Sequence, residues 1–543
     1  VLSASENQHN RGNKAGSLLL AGLFLICQQS ILVAAEKSAA DREPQRLAGQ
    51  IDQFIREAHQ REQVQIAPCA SDAEFMRRVY LDLSGKIPPV AEVRQFLADT
   101  TPDKRSQLIE RLLASPGFVV HFTSLWREIL IPEAGTDPFA RQQVPEFEAW
   151  LRTQLRNDTS YAALAQAIIG APFDQDAAQA ETMEPTPRAF YVAKQLKPES
   201  LAASTSRAFL GVRIECAQCH DHPFDTWKQE QFWKFAAFFS NFDQSQQNNL
   251  ITGFSLREVT GKPAIKIPDT NRLVEASFLN GKEIDWEQNQ RGPRERLSEW
   301  ITSSQNPYFA KASVNRIWSL FFGRGIVDPV DDFSATNPAS HPELLDAMAR
   351  AFQQHDYDLK YLIREITNSE TYQLTSQQTD PSQSRAEWYG KMPTRGLTSE
   401  QIFANLVQAT GFFRQTTETD PRLVAGGTNS PQTEIYELFQ SEAENQLEPR
   451  ATILQALALM NGTFITNATS LEESDVFTAI VDFPGQSVEQ KIEAFYLSTL
   501  SRPPTSAEQN RLKSYITASE DQTDAYANLF WALLNSSEFL LNH

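Results

Sequence analysis

Cys216-Ala217-Gln218-Cys219-His220 places two thiols and an imidazole within one short stretch. Two cysteines separated by two residues let a single turn present both sulfurs to the vinyl groups at a porphyrin edge, and a histidine directly after them can reach the iron. The chemistry implied by this spacing is covalent attachment of haem c, with thioethers at Cys216 and Cys219 and His220 as the proximal ligand. His222 lies two residues further on, too near along the chain to serve the opposite face of the same iron. A second axial ligand would therefore come from elsewhere, from His341, His121, Met348 or Met76. His341 is preferred, because a place in the first turn of a helix disfavours the imidazolium and leaves the neutral ring that a ligand must be.

The same residues support two other readings. Cys219, His220, His222 and Asp225 are all donors to zinc or copper, with Asp221 beside them for an outer hydrogen bond. One short segment rarely closes a tetrahedron, so this reading requires a further ligand from a distant part of the chain. Alternatively Cys216 and Cys219 close a local disulfide, or Cys69 pairs with one of them, and the histidines are polar anchors with no cofactor at all. Three functions correspond to these readings. The first is a c-type-cytochrome-like protein transferring electrons to a redox partner protein. The second is a non-haem metal protein, including an enzyme acting on extracellular polymers. The third is an interaction protein with a structural cysteine staple. No serine or cysteine nucleophile signature is present, and no catalytic residue is assigned.

Compartment and partners follow from composition. Residues 1–35 have the form of an export signal, with Arg11 and Lys14 before an apolar run from Gly16 to Ile26 and small residues at Val33-Ala34-Ala35. That run is too short for a comfortable membrane span, so no stable span is expected once the signal is removed. The expected location is periplasmic or at the cell surface. Four cysteines in 543 residues do not make a disulfide scaffold. A net charge of −19 without any long Lys/Arg cluster argues against a nucleic-acid partner.

The elements that must position the motif read as mainly α, two helical domains with a small β insertion between them. After a linker at 36–50, helical periodicity runs through 51–245, as in Leu108, Ile109, Leu112 and Leu113, with Thr101-Pro102 as the helix start. Phe232, Phe235, Ala236 and Phe239 form a second apolar stripe just after the motif. Residues 246–290 carry the β signals, an alternating Ala264-Ile265-Lys266-Ile267 and an Asn280-Gly281 pair that favours a tight hairpin. Helical patterning returns over 291–543, with Leu359, Leu362, Ile363 and Ile366 on one face and a long loop at 414–450. Ser340 with Glu343, Thr398 with Gln401, Ser487 with Gln490, and Thr505 with Glu508 fit reciprocal N-terminal caps. Asp328, Asp331 and Asp332 read as a solvated acidic turn, with Arg316 as a pairing partner for one of them. There is also an internal echo. Tyr80-Leu81, Pro88-Pro89 and Leu112 to Phe118 are matched by Tyr496-Leu497, Pro503-Pro504 and Leu533 to Phe539, which suggests two helical units of similar shape packed together.

The stretch Glu215 to Asp225 resembles the signature of the planctomycete cytochrome-like family, a domain of unknown function found in large exported proteins. Arg78-Val79-Tyr80-Leu81-Asp82-Leu83-Ser84-Gly85 and Pro88-Pro89 match its N-terminal part. Asn306 to Ala310, Val314 to Trp318, Phe322 to Val327, Asn337 to Leu345 and the tail from Trp531 are similar to the planctomycete-specific domain that accompanies it. The resemblance implies the arrangement of the chain and an exported setting. It implies no established catalytic residue.

Overall fold

In the computed structural model the chain is described for residues 46–173, 185–223, 225–242, 262–282, 284, 286, 291–412 and 468–543. The stretches read from sequence as an export signal, most of the linker and a loop at 414–450 lie outside the described residues. The architecture is mainly α, with two small two-stranded sheets among the described residues.

The helices form where apolar spacing and local caps agree. Leu108, Ile109, Leu112 and Leu113 are all buried on helix Lys104–Leu113. That helix begins later than Thr101-Pro102 implies. The Asp99 carboxylate accepts from both the Thr101 amide and its hydroxyl, 2.8 Å each, so Thr101 closes a turn instead of capping. Reciprocal caps are present at Thr398 with Gln401, Ser487 with Gln490 and Thr505 with Glu508. The one at Ser340 is not formed. The Ser340 hydroxyl donates to the Ile326 carbonyl at 3.1 Å, and Pro342 starts the helix Pro342–Gln354 with His341 as its N-cap residue.

The β insertion is a short antiparallel pair, Ala264–Lys266 with Leu273–Glu275. Its turn lies at residues 267–272, closed by the Ile267 amide on the Arg272 carbonyl at 3.0 Å. Asn280-Gly281 therefore makes a separate turn after the strands, with Gly281 at φ 74°.

One apolar core runs from Leu47 through Met392 and also takes in Leu497, crossing the expected boundary at 246–290. Helix Phe309–Phe322 packs on Pro342–Gln354, and Pro293–Thr302 packs on Tyr161–Ile169. A second core gathers Leu397 to Phe539 and takes in Leu81 and Ile87 from the first part. The two echoing units meet here. Helix Asp72–Ser84 supplies Arg77, 1% exposed, which donates to the carbonyls of Thr499, Glu538 and Phe539 at 2.9, 3.1 and 2.9 Å. The echo extends to hydrogen bonds. Ser115 caps Phe118 at 3.2 Å and donates to Leu112, and Ser536 caps Phe539 at 3.2 Å and donates to Leu533.

Candidate functional site

The approach to the cysteine motif is built from a break in helical geometry. Helix Pro198–Thr205 widens into a π-helical turn at Ser206–Leu210, a distortion often found beside functional segments. It ends at Gly211 with φ 66°, and a Cβ there would lie 2.8 Å from the Phe333 ring. Glycine is needed both for the left-handed backbone and for that close approach. The Gly211 carbonyl accepts from the Phe333 amide at 2.9 Å, fixing the exit of the chain.

Arg213 and Glu215 then lead into the motif. Asp331 accepts from Arg207 Nε at 2.9 Å and from Arg213 Nη2 at 2.7 Å, and Arg207 lies 3.4 Å from Glu215. Burial pushes the Asp331 carboxyl up, but the hydrogen bond from Arg213 and the charge of Arg207 outweigh it and hold the group below the usual range. Asp331 is thus a half-enclosed tie and not part of a solvated turn. Arg316 donates to the Arg207 carbonyl at 2.8 Å, so it supports the network through the backbone. Burial raises the Glu215 carboxyl.

Cys216 lies in a single 3-10 turn, Glu215–Ala217, whose Ala217 is fully buried. Cys216 and Cys219 are both unpaired and exposed. The turn is held from below by the backbone. Trp233 Nε1 donates to the Gln218 carbonyl at 2.9 Å, and Gln229 Nε2 donates to the Cys219 carbonyl at 2.8 Å. His220 is exposed, and its Nδ1 sits 2.7 Å from the Asp221 carbonyl. A carbonyl can only accept, so Nδ1 carries the proton and the neutral ring keeps its lone pair on Nε2. Asp221 is held in turn by the Gln229 amide at 3.0 Å and Lys228 at 3.1 Å, which lower its pKa. The His222 amide donates to the Trp227 carbonyl at 2.8 Å, closing the loop.

Residues 50–244 match the family model PSCyt2, described as a protein of unknown function (DUF1549), and residues 293–516 match PSD1, described as a protein of unknown function (DUF1553). The chain pairs the two in that order. No curated protein and no solved structure matches it.

The PSD1 part thus supplies Asp331, the anion that pins the PSCyt2 motif loop. Sequence reading found the loop and missed this anchor, because its partners lie 118 and 124 residues away. His341, preferred as the second axial ligand, is not brought to the motif. It is 3% exposed, its Nδ1 is 3.0 Å from Ser340 Oγ, and its ring packs on Trp388 and Tyr389 at 5.3 and 5.5 Å. Its pKa falls to about 4 through burial, with His59 and Arg61 adding to the effect, so the ring is neutral as expected but for a different main reason. Met76 and Met348 are fully buried in the first core, and His121 lines a cavity at the junction of the two parts. Cys219, His220, His222 and Asp225 do not converge. Among the described residues no group of three or more His, Cys, Asp or Glu side chains could hold a metal ion.

Proposed function

We propose that the turn from Cys216 to His220 is the attachment site of haem c in an exported electron-transfer protein. The observation that carries this reading is the state of the three groups. Both thiols are unpaired and exposed, and the His220 ring commits Nδ1 to a carbonyl while Nε2 has no partner among the described residues. These are the groups that attachment consumes, and the donor set fits haem c. When bound, the haem supplies a one-electron couple at this turn.

The rest of the work falls to the chain. Cys216 and Cys219 would hold the porphyrin edge, and His220 would present Nε2 to the iron, its ring oriented by the hydrogen bond at Nδ1. Trp233 and Gln229 fix the carbonyls of the turn, so the sulfurs keep their spacing. Exposure of all three groups suits electron exchange with a redox partner protein docking on this face. The zinc or copper alternative, with Cys219, His220, His222 and Asp225, is less favoured, since those donors do not converge among the described residues. Export rests on residues 1–35, and no helix among the described residues is long and apolar enough to cross a membrane.

The test is the visible spectrum of protein matured in a host with a haem-attachment system. An absorption band that survives acid–acetone extraction is expected. Its absence, with stoichiometric zinc or copper, would favour the metal reading. Absence of both would leave an interaction protein with a structural turn.

A further inference from the structure

A cavity of about 60 Å³ lies where the two parts of the chain and the C-terminal tail meet. It is built by two helix ends. Gly85 closes helix Asp72–Ser84 at φ 69°, and a Cβ there would fall 2.6 Å from His121 Nδ1. Gly323 closes helix Phe309–Phe322 at φ 67°, and a Cβ there would fall 2.9 Å from the Arg395 side chain. Both glycines make room for a side chain that lines the space.

The charges at this site are spent on each other. Asp82 accepts from Arg395, Asn542 and Tyr372, each at 2.7 Å. Arg395 also donates to the Leu320 carbonyl. Asp82 and Arg395 offset one another, so among the described lining residues an entering ion would meet no uncompensated charge, and burying it would be costly. Arg395 Nε and Asn542 Oδ1 are nevertheless buried with no hydrogen-bond partner among the described residues, and His121 joins them. It is 9% exposed, lines the cavity, and has no hydrogen-bond partner among the described residues. Burial, with Arg395 adding to it and Glu400 opposing, takes its pKa down to about 4, so the ring is neutral at physiological pH and offers a donor and an acceptor. Phe122 and Phe321 supply apolar wall.

We propose that this cavity binds a small uncharged hydroxyl compound, held by a hydrogen bond to His121. A cavity of about 150 Å³ takes benzene, so this one of about 60 Å³ suits a molecule of roughly two or three heavy atoms. The hydroxyl would satisfy the imidazole, and a short carbon chain would face the phenylalanines. Because residues from both parts line the space, the occupant would tie the PSCyt2 and PSD1 parts together. The inference stands apart from the haem reading.

The experiment is titration of the full-length protein, labelled at histidine nitrogen, with methanol and separately with ethanol. The expected result is a saturable shift of the His121 ring resonances and a rise of a few degrees in the thermal midpoint, with the rise lost in His121→Phe. Unmoved resonances would overturn the proposal and leave ordered water as the occupant. A shift that grows without saturating, or a midpoint rise that persists in His121→Phe, would overturn it too. If His121→Phe does not fold, the wild-type titration still decides.

Discussion

Asp331 holds the guanidinium groups of Arg207 and Arg213 on the approach to the cysteine turn. Asp331→Asn keeps the shape and removes the charge. It should cost about 2 kcal/mol in urea denaturation, the scale of hydrogen bonds to a charged group that is only partly solvated. Since the folded pKa of Asp331 lies below its unfolded value, this contribution is present above the unfolded pKa and is lost as pH falls through the folded one. Asp331→Asn should accordingly flatten the acid limb of the stability profile. The motif itself was legible in the sequence because its residues are neighbours, and they lie together in one turn and the loop that follows it. The anchor was not, because three nearby aspartates look alike in sequence and only the tertiary fold selects the one that meets two arginines. His341 shows the opposite error. Its type and helix position fit a ligand, yet the aromatic rings of Trp388 and Tyr389 claim it. His341→Gln should leave the spectrum of any bound haem unchanged, and a lost or shifted band would return His341 to the site.

The elements were readable wherever local chemistry decides them. Three of the four reciprocal caps form as their spacing implies, while Ser340 fails because the helix starts at Pro342 with His341 in the N-cap place, leaving Ser340 one residue outside it. The hairpin turn was misplaced for a related reason. Asn280-Gly281 does turn the chain, but the pairing of Ile265 with Val274 sets the register several residues earlier. The π-helical turn before the motif has no sequence signature beyond Gly211, and it is the element that aims the loop. Gly211→Ala should destabilise by about 2 kcal/mol or more, since it combines a left-handed backbone with a clash on Phe333. The measurement is equilibrium denaturation, and a change within experimental error would mean that the approach to the motif is more compliant than described. Ser536→Ala, removing one cap of the second echoing unit, should cost about 1 kcal/mol.

Across the whole molecule, the apolar cores do not follow the two family matches. The first core joins the PSCyt2 part to the opening helices of the PSD1 part, and the second reaches back to Leu81 and Ile87. Length and helical patterning suggest two domains but not which helices share a core, because that depends on pairings hundreds of residues apart. The pH dependence of stability is a property of this whole. His121 and His341 have folded pKa values of about 4, depressed mainly by burial, and His59 is also lowered. The unfolded chain binds more protons at these residues below its histidine pKa, so stability should fall on acidification from about pH 6.5. Glu128, raised by burial and by the neighbouring Glu400, works in the opposite sense and removes stability as pH rises through its folded pKa. The thermal midpoint should therefore peak near the unfolded histidine pKa, and a midpoint that climbs steadily toward acid would contradict the burial of those rings as neutral groups.

The central claim concerns the turn held by all of this structure, and the intact mass of the denatured protein tests it most directly. Protein matured with a haem-attachment system should be heavier by one covalently bound haem, and Cys216→Ser with Cys219→Ser should return it to the mass of the polypeptide. A wild-type mass equal to the polypeptide alone would contradict haem attachment at Cys216 and Cys219.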